Sequence, residues 1–304
     1  MAVRFLRDMT FTYGMAEHVA PGIRRIVARN PGPFTFHGTG TYVIGRGSVA
    51  VIDPGPDLDE HVAAILAALG GETISHIVVT HTHLDHSPAC RPLQAATGAP
   101  IHGFGPHGGE AESLGTRLEA QVEEGVDHAF VPDIRLRHGD VLCGEGWTLE
   151  AIHTPGHTSN HLCFAYPEGD AVFTGDHVMG WSTTVVVPPD GDMAAYMASL
   201  EMLLERSGST FLPTHGPPIL EPGSYLRDLI AHRRARERQI LAALAIGPST
   251  IPHMVATIYD DIPKGLHVAA GCSVLAHLID LVARGEVTCE GEPGLTTVYT
   301  CRRR

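Results

Sequence analysis

The chain has 304 residues, 43% of them hydrophobic and 18% charged, which suffices for one large domain plus a small one. That balance excludes a disordered or coiled-coil chain, and the net charge of −13 disfavours a nucleic-acid partner unless bound cations invert the local field. The charge is uneven: residues 1–220 carry −14 and residues 221–304 carry +1.

The first stretch, MAVRFLRDMTFTYGMAEHV, has no apolar core of signal-peptide length and no small-residue cleavage site. No run approaches the roughly 20 apolar residues of a membrane span, so a cytoplasmic protein with no membrane contact is expected. TGTYVIGRGSVAVIDPGPD (39–57) reads as two β-rich runs broken by Gly-Arg-Gly, a hairpin ending in a Pro-Gly turn. LDEHVAAILAALGG (58–71) has helical periodicity and ends in glycines. ISHIVVT (74–80) is a short β-branched run, predicted to be a buried strand. THTHLDHSPA follows at its end. SPACRPLQAATG then predicts a helix with Ser87 as N-cap and Pro88 at the first helical position. That order puts the histidine-rich loop at the C-terminal edge of a buried strand, where α/β proteins tend to place ligand sites.

Further strands are predicted before His102 and over 141–154, and a hairpin over 161–176 around Pro-Glu-Gly-Asp. Residues 192–206 predict a helix and 209–216 a last strand and loop. After PPILEPGS the character changes. A long Arg-rich helix (225–245), two shorter helices and a C-terminal hairpin suggest a winged-helix module, giving domains at 1–222 and 223–304. Six scattered cysteines with no CxxC are expected to be reduced, and none is given a metal role.

The chemistry lies in His81-x-His83-x-Asp85-His86. Imidazole nitrogens and carboxylate oxygens suit Zn²⁺ and related ions. Three downstream segments, HTPGHTSNH with His157, FTGDH with Asp176 and PTHGP with His215, each follow an apolar run and are flanked by Gly or Pro. These seven side chains suffice for two ions. His81, His83 and His157 would hold the first, Asp85, His86 and His215 the second, and Asp176 would bridge them. Two ions roughly 3.5–4 Å apart would turn a bridging water into a hydroxide nucleophile and stabilise attacking and departing oxygens.

The set HxHxDH, then His, Asp and His in this order, resembles the metallo-β-lactamase superfamily over roughly residues 30–220. VAVIDPG, with Asp53, matches the family's first motif, where the aspartate supports the metal shell without binding metal. The resemblance implies a four-layer αββα sandwich of two mixed sheets with the site at one edge. It also implies two divalent ions, Zn²⁺ first, with Fe or Mn accepted by the same donors. The tail words HRRARERQILAAL and GLHVAAGCSVLAHLIDLVARGEV are similar to the beta-lactamase-like-protein-2 branch, which appends a winged helix and includes a single-strand endoribonuclease.

The implied activity is metal-dependent hydrolysis of a phosphodiester such as single-stranded RNA, or of a small ester or thioester. A hydroxyacylglutathione hydrolase uses the same seven ligands but usually has a basic C-terminal region. A true β-lactamase would be exported and would lack the aspartate at Asp176. A non-enzymatic winged-helix regulator is disfavoured by the intact ligand set, and a di-iron flavoprotein by the missing flavodoxin-like domain. Catalytic roles fall to Asp85, to Asp53 through the ligands it orients, and to His161. His161 either supports the site or meets the leaving group, against a plain exposed hairpin histidine. His177 is expected to point away from the site. His102 and His107 flank a Gly-rich stretch suited to a lid. Arg233, Arg234, Arg236 and Arg238 would steer polyanions or form a solvated face with an Arg233–Glu237 pair. The winged helix would serve as lid or dimer contact, so a homodimer is plausible.

Overall fold

The computed structural model describes residues 3–108, 125–206, 210–260 and 262–302. Its first sheet holds seven strands side by side in chain order. They are β1 (Glu17–Ala20), β2 (Ile23–Val27), β3 (Gly40–Ile44), β4 (Ser48–Ile52), β5 (Thr73–Val78), β6 (Ile101–Gly103) and β7 (Ile134–Arg135). Pairing is antiparallel as far as β4 and parallel from β4 onward. The second sheet contains β8 (Val141–Gly144), β9 (Trp147–His153), β10 (Leu162–Tyr166), β11 (Ala171–Gly175) and β12 (Thr210–Pro213), in the order β12-β11-β10-β9-β8. Only its β11–β12 pair is parallel.

Period-2 patterning builds the layers. Successive strand side chains face opposite ways, so a strand covered on both faces is apolar throughout. On β3 and β4, Tyr42, Ile44, Ala50 and Ile52 enter the core shared with Leu149, Phe164, Phe173 and Leu212 of the other sheet. The alternate Val43, Val49 and Val51 pack with α1 (Asp59–Leu69) and α2 (Cys90–Thr97), through Ile65, Leu69 and Leu93. On the far side Ile152, Cys163, Val172 and Phe211 meet α3 (Met193–Glu205) and the first half of α4 (Pro222–Ile246). The order is helices, sheet, sheet, helices, as the resemblance implies. Each fully buried large apolar side chain contributes about 1.5–3 kcal/mol, so the inter-sheet layer is a principal source of stability.

The tail forms a third core. Ile240 and Leu244 at the end of α4 pack with α5 (Ile251–Ile258), α6 (His267–Ala283), β14 (Val287–Cys289) and β15 (Val298–Cys301). Strand β13 (Ser249–Thr250) pairs with β15, completing a small wing. One helix, α4, therefore serves both the sandwich and the tail module. Lys264–Ala283 is long and apolar enough by length and composition to cross a membrane, which corrects the expectation that no stretch is. Here 61% of that window is buried as the spine of the module.

The predicted Ser87 cap is also corrected. Helix α2 begins at Cys90 with Ala89 as its N-cap and no side-chain cap bond. Ser87 instead donates from Oγ to Asp127 Oδ2 at 3.0 Å, so its hydroxyl is unavailable to the helix end. Strands β1, β2 and β7 carry no clear alternation and were absent from the sequence expectation. Most of the Gly-rich stretch expected as a lid lies outside the described residues.

Candidate metal centre

All five motif segments leave the C-terminal ends of strands. Asp53 follows β4, the 80–86 loop follows β5, His157 follows β9, Asp176 follows β11 and His215 follows β12. Strands β4 and β5 are parallel, as are β11 and β12, and β9 runs the same way as β11 because β10 reverses twice between them. The loops therefore converge on one edge of the sandwich. Gly175 makes the last turn before Asp176 with φ +51°, and a Cβ there would stand 2.6 Å from His161 Nε2. The sharp turn thus needs glycine both for its left-handed backbone and for space.

The structure brings together the seven side chains singled out as ligands. Candidate donor atoms of His81, His83 and His157 lie within 4.8 Å of one another, as do those of Asp85, His86 and His215. Asp176 groups with His81 and His86, one from each set. Its Oδ1 lies 3.7 Å from His86 Nε2 and its Oδ2 lies 3.5 Å from His215 Nε2. Asp85 Oδ2 lies 2.9 Å from His215 Nε2 and 3.4 Å from His86 Nε2. All seven side chains are buried.

The far nitrogens of these rings are committed, which aims the near ones. His86 Nδ1 donates to Asp53 Oδ2 at 2.9 Å, His157 Nδ1 to the Val185 carbonyl at 2.8 Å and His215 Nδ1 to the Gly38 carbonyl at 3.2 Å. Each thereby presents Nε2 to the centre. Thr80 donates its hydroxyl to Asp53 Oδ2 at 2.8 Å and so accepts from His81 Nδ1 at 3.0 Å, leaving His81 Nε2 for the centre. That nitrogen lies 3.0 Å from His83 Nδ1.

Asp53 is the hub of this outer ring. Its Oδ1 accepts the Thr80 amide at 2.8 Å, and its Oδ2 accepts from Thr80, His86 and, at 2.9 Å, the Thr214 hydroxyl. It sits at φ +48°, a left-handed conformation that aspartate tolerates better than most residues. The loop that carries His215 is tied to the first sheet by the Gly40 amide on Thr214 O, Tyr42 Oη on Pro213 O and Arg25 Nη1 on Gly216 O.

Charge divides the two halves of the centre. Burial, reinforced by the neighbouring imidazoles, drives His81 well below the usual histidine range. Burial likewise lowers His83 to about 4. These rings are neutral and offer lone pairs. Burial also opposes a charged His86, but the Asp85, Asp176 and Asp53 carboxylates outweigh it and raise His86 well above its ordinary value. His215 is raised in the same way, against burial, by Asp176 and Asp85.

Divalent ions fit this arrangement. Among the described residues, buried His86 Nε2, His215 Nε2 and Asp176 Oδ1 have no hydrogen-bond partner, although oppositely charged atoms stand close by. Buried polar atoms are rarely left so, and a cation would satisfy all three. Nitrogen and oxygen donors in two overlapping sets suit Zn²⁺, with Fe and Mn next.

The remaining expected site residues fall further out. His161 is fully buried: it accepts the Asp176 amide on Nε2 at 3.2 Å and so donates from Nδ1 to Thr154 Oγ1 at 2.9 Å. Both nitrogens are engaged, which corrects the leaving-group role and the exposed-hairpin alternative alike. His177 turns away from the centre against the Tyr196 ring, 4.7 Å between centroids. His102 stacks on His76 in the first sheet, and His107 lies 6.2 Å, ring to ring, from His83. The Arg233–Glu237 pair does not form, because Glu237 is held by Arg284 at 2.6 Å and Arg233 is buried. Sequence reasoning passed over Thr80 and Thr214, although a threonine directly before His81 and before His215 was a visible signal.

A cavity opens on the centre. Asp85, His157 and Asp176 form its floor, and Pro33, Phe34, Met179, Trp181, Ser182, Thr183 and Val185 line the rest. Trp181 stacks on Phe36 at 4.9 Å.

Comparison with known proteins agrees with this geometry. Residues 35–215 match the family described as Metallo-beta-lactamase superfamily, and residues 250–294 match the Beta-lactamase associated winged helix domain. An atrochrysone carboxyl ACP thioesterase of Cryptosporiopsis sp. (strain 8999) is 29% identical over 81% of this chain and 74% of its own length. A beta-lactamase-like protein 2 homolog of Caenorhabditis elegans is 30% identical over 84% of this chain and 82% of its own. A crystal structure of a beta-lactamase domain protein from Burkholderia ambifaria shares the fold with a TM-score of 0.79 at 21% identity, covering 97% of this chain and 96% of that one.

Proposed function

The chain belongs to the metallo-beta-lactamase superfamily of hydrolases, and from that premise we propose that it holds two divalent ions, Zn²⁺ first, and cleaves esters or thioesters of apolar acyl groups. His81, His83 and His157 would hold one ion, Asp85, His86 and His215 the other, with Asp176 between them. When bound, such ions supply Lewis acidity toward the substrate carbonyl and an activated water. The chain's own residues do the rest. The Asp53 network fixes the His86 and His81 tautomers, so that no ligand must reorient on binding. Phe34, Met179, Trp181 and Val185 flank the carbonyl beside Asp85 and Asp176 and shield it from bulk water.

The observation that carries the substrate class is the cavity wall. Its described lining is apolar and hydroxylic, with two carboxylates and the His157 imidazole, and it contains neither lysine nor arginine. Beyond the two ions, which would meet only the reacting group, an RNA strand would need lysines or arginines along its backbone. The arginines of α4 do not supply a track: Arg233 is buried, Arg234 is paired with Glu201 at 2.6 Å, Arg236 bonds Gln239 and the Ile258 carbonyl, and Arg227 and Arg238 flank a separate groove. The thioesterase name of one relative points the same way.

The test is hydrolysis of decanoyl-coenzyme A, S-lactoylglutathione, nitrocefin and a fluorogenic single-stranded RNA by zinc-loaded protein, each with a chelator control and a His83→Ala variant. Decanoyl thioester cleavage that both controls abolish is expected. RNA cleavage with intact thioester would overturn the reading.

A further inference from the structure

Arg233 lies on α4, in the part of the chain that follows the sandwich, yet it is only 3% exposed. Among the described residues it makes no ion pair. Glu237, one turn on along the helix, is taken by Arg284 at 2.6 Å. Its Nε is buried without a hydrogen-bond partner. An uncompensated buried cation is strongly unfavourable, so what it does touch matters. Its guanidinium sits 5.0 Å over the Tyr196 ring and donates from Nη2 to the carbonyl of Thr184.

Thr184 leads directly to the metal centre. Its hydroxyl donates to the carbonyl of Asp176 at 2.7 Å, with a second contact to the carbonyl of His177 at 3.1 Å. Tyr196, beneath the guanidinium, also donates to His177 O, at 3.0 Å. The next residue, Val185, provides the carbonyl that orients His157. The 176–185 segment therefore carries one ligand and the orienting partner of another, and it supplies Met179, Trp181, Ser182, Thr183 and Val185 to the cavity wall. On its other side Val185 and Val187 pack with Ala269 and Cys272 of α6.

We propose that Arg233 is a positioning residue through which the C-terminal helices set the placement of Asp176 and His157, and with it the spacing of the two ions. This rests on the metal-hydrolase reading above. The link is a chain of directed hydrogen bonds: guanidinium to Thr184 carbonyl, Thr184 hydroxyl to Asp176 carbonyl, and His157 to the Val185 carbonyl. A guanidinium held over an aromatic ring has little freedom to drift, which suits it to fixing a loop.

The experiment compares wild type with Arg233→Met, Arg233→Lys and Thr184→Val, all as full chains loaded with Co²⁺. The readouts are the visible absorption spectrum of the bound Co²⁺, ion affinity by chelator competition, kcat and KM with decanoyl-coenzyme A, and the melting curve. Arg233→Met and Thr184→Val should both alter the Co²⁺ bands and weaken ion binding 10–100-fold. Both should lower kcat more than they change KM, and Arg233→Lys should recover part of each effect. Thr184→Val cuts the same link without touching the buried cation, so it decides the matter if Arg233→Met fails to fold. Unchanged bands and ion affinity in a folded Thr184→Val variant would overturn the proposal. A wild-type protein that binds Co²⁺ but leaves the thioester intact would defeat the substrate reading alone, because the bands and affinities still report on Arg233.

Discussion

Asp53→Asn tests how far the outer ring governs the metal centre. The backbone should not object, because φ +48° is open to asparagine as well as aspartate. Four hydrogen bonds end on this carboxylate, three of them on Oδ2. Asparagine can keep its oxygen at the Oδ2 position, but its amide then faces the Thr80 N–H, and two donors confront each other. The bonds that remain lose a charged acceptor. Hydrogen bonds to charged groups contribute about 1.5–3 kcal/mol and neutral ones about 1 kcal/mol, so the exchange destabilises the site by about 2–4 kcal/mol. The share felt by the ions is a 10–100-fold loss of affinity, or about 1.4–2.8 kcal/mol. Competition with a chromophoric chelator measures the affinity, and urea unfolding of the metal-free chain measures the structural remainder. An affinity within twofold of wild type would refute the role assigned to Asp53.

Removing the metals should destabilise the fold, because His86, His215 and Asp176 then hold buried atoms without partners. At a free ion concentration 100 times Kd each ion stabilises by about 2.7 kcal/mol, so scanning calorimetry with and without chelator should show a clear fall in Tm. An unchanged Tm would contradict this. A second prediction concerns acid. Burial lowers His61 to about 4, below its unfolded value near 6.5. Its stabilising effect is complete above pH 6.5 and is lost as the pH falls toward 4, by about 3 kcal/mol in all. A His61→Gln variant should show a correspondingly flatter loss of unfolding free energy between pH 6.5 and 4. Parallel curves for the two proteins would remove His61 from the account.

The centre was legible because its residues come in short words at strand ends, and strand ends are marked by the switch from β-branched runs to Gly, Pro and His. The same logic found the β3–β4 and β10–β11 hairpins, where glycines or Pro-Glu-Gly-Asp punctuate the alternation. It failed where charge interrupts a strand. In β2 the sequence IRRIV hides its pattern because Arg25 is buried, neutralised by Glu17 at 2.6 Å and hydrogen-bonded to the Gly216 carbonyl. Helix α6 begins at His267, four residues ahead of Gly271, a helix-weakening residue that hides this start in the sequence. Ser87 looked like a cap because its competing partner, Asp127, lies 40 residues away in sequence. Arg233 escaped for the same reason: an i,i+4 rule looks for partners along the helix, while its true contacts come from Thr184 and Tyr196.

The most direct test of the account is native mass spectrometry of the full chain after zinc loading and buffer exchange, alongside His83→Ala and His215→Ala. Two zinc ions per wild-type chain are predicted, with each variant losing occupancy at one position and retaining the fold by circular dichroism. A wild-type chain that carries no zinc, or only one ion under saturating conditions, would contradict the dinuclear centre on which the proposed hydrolysis rests.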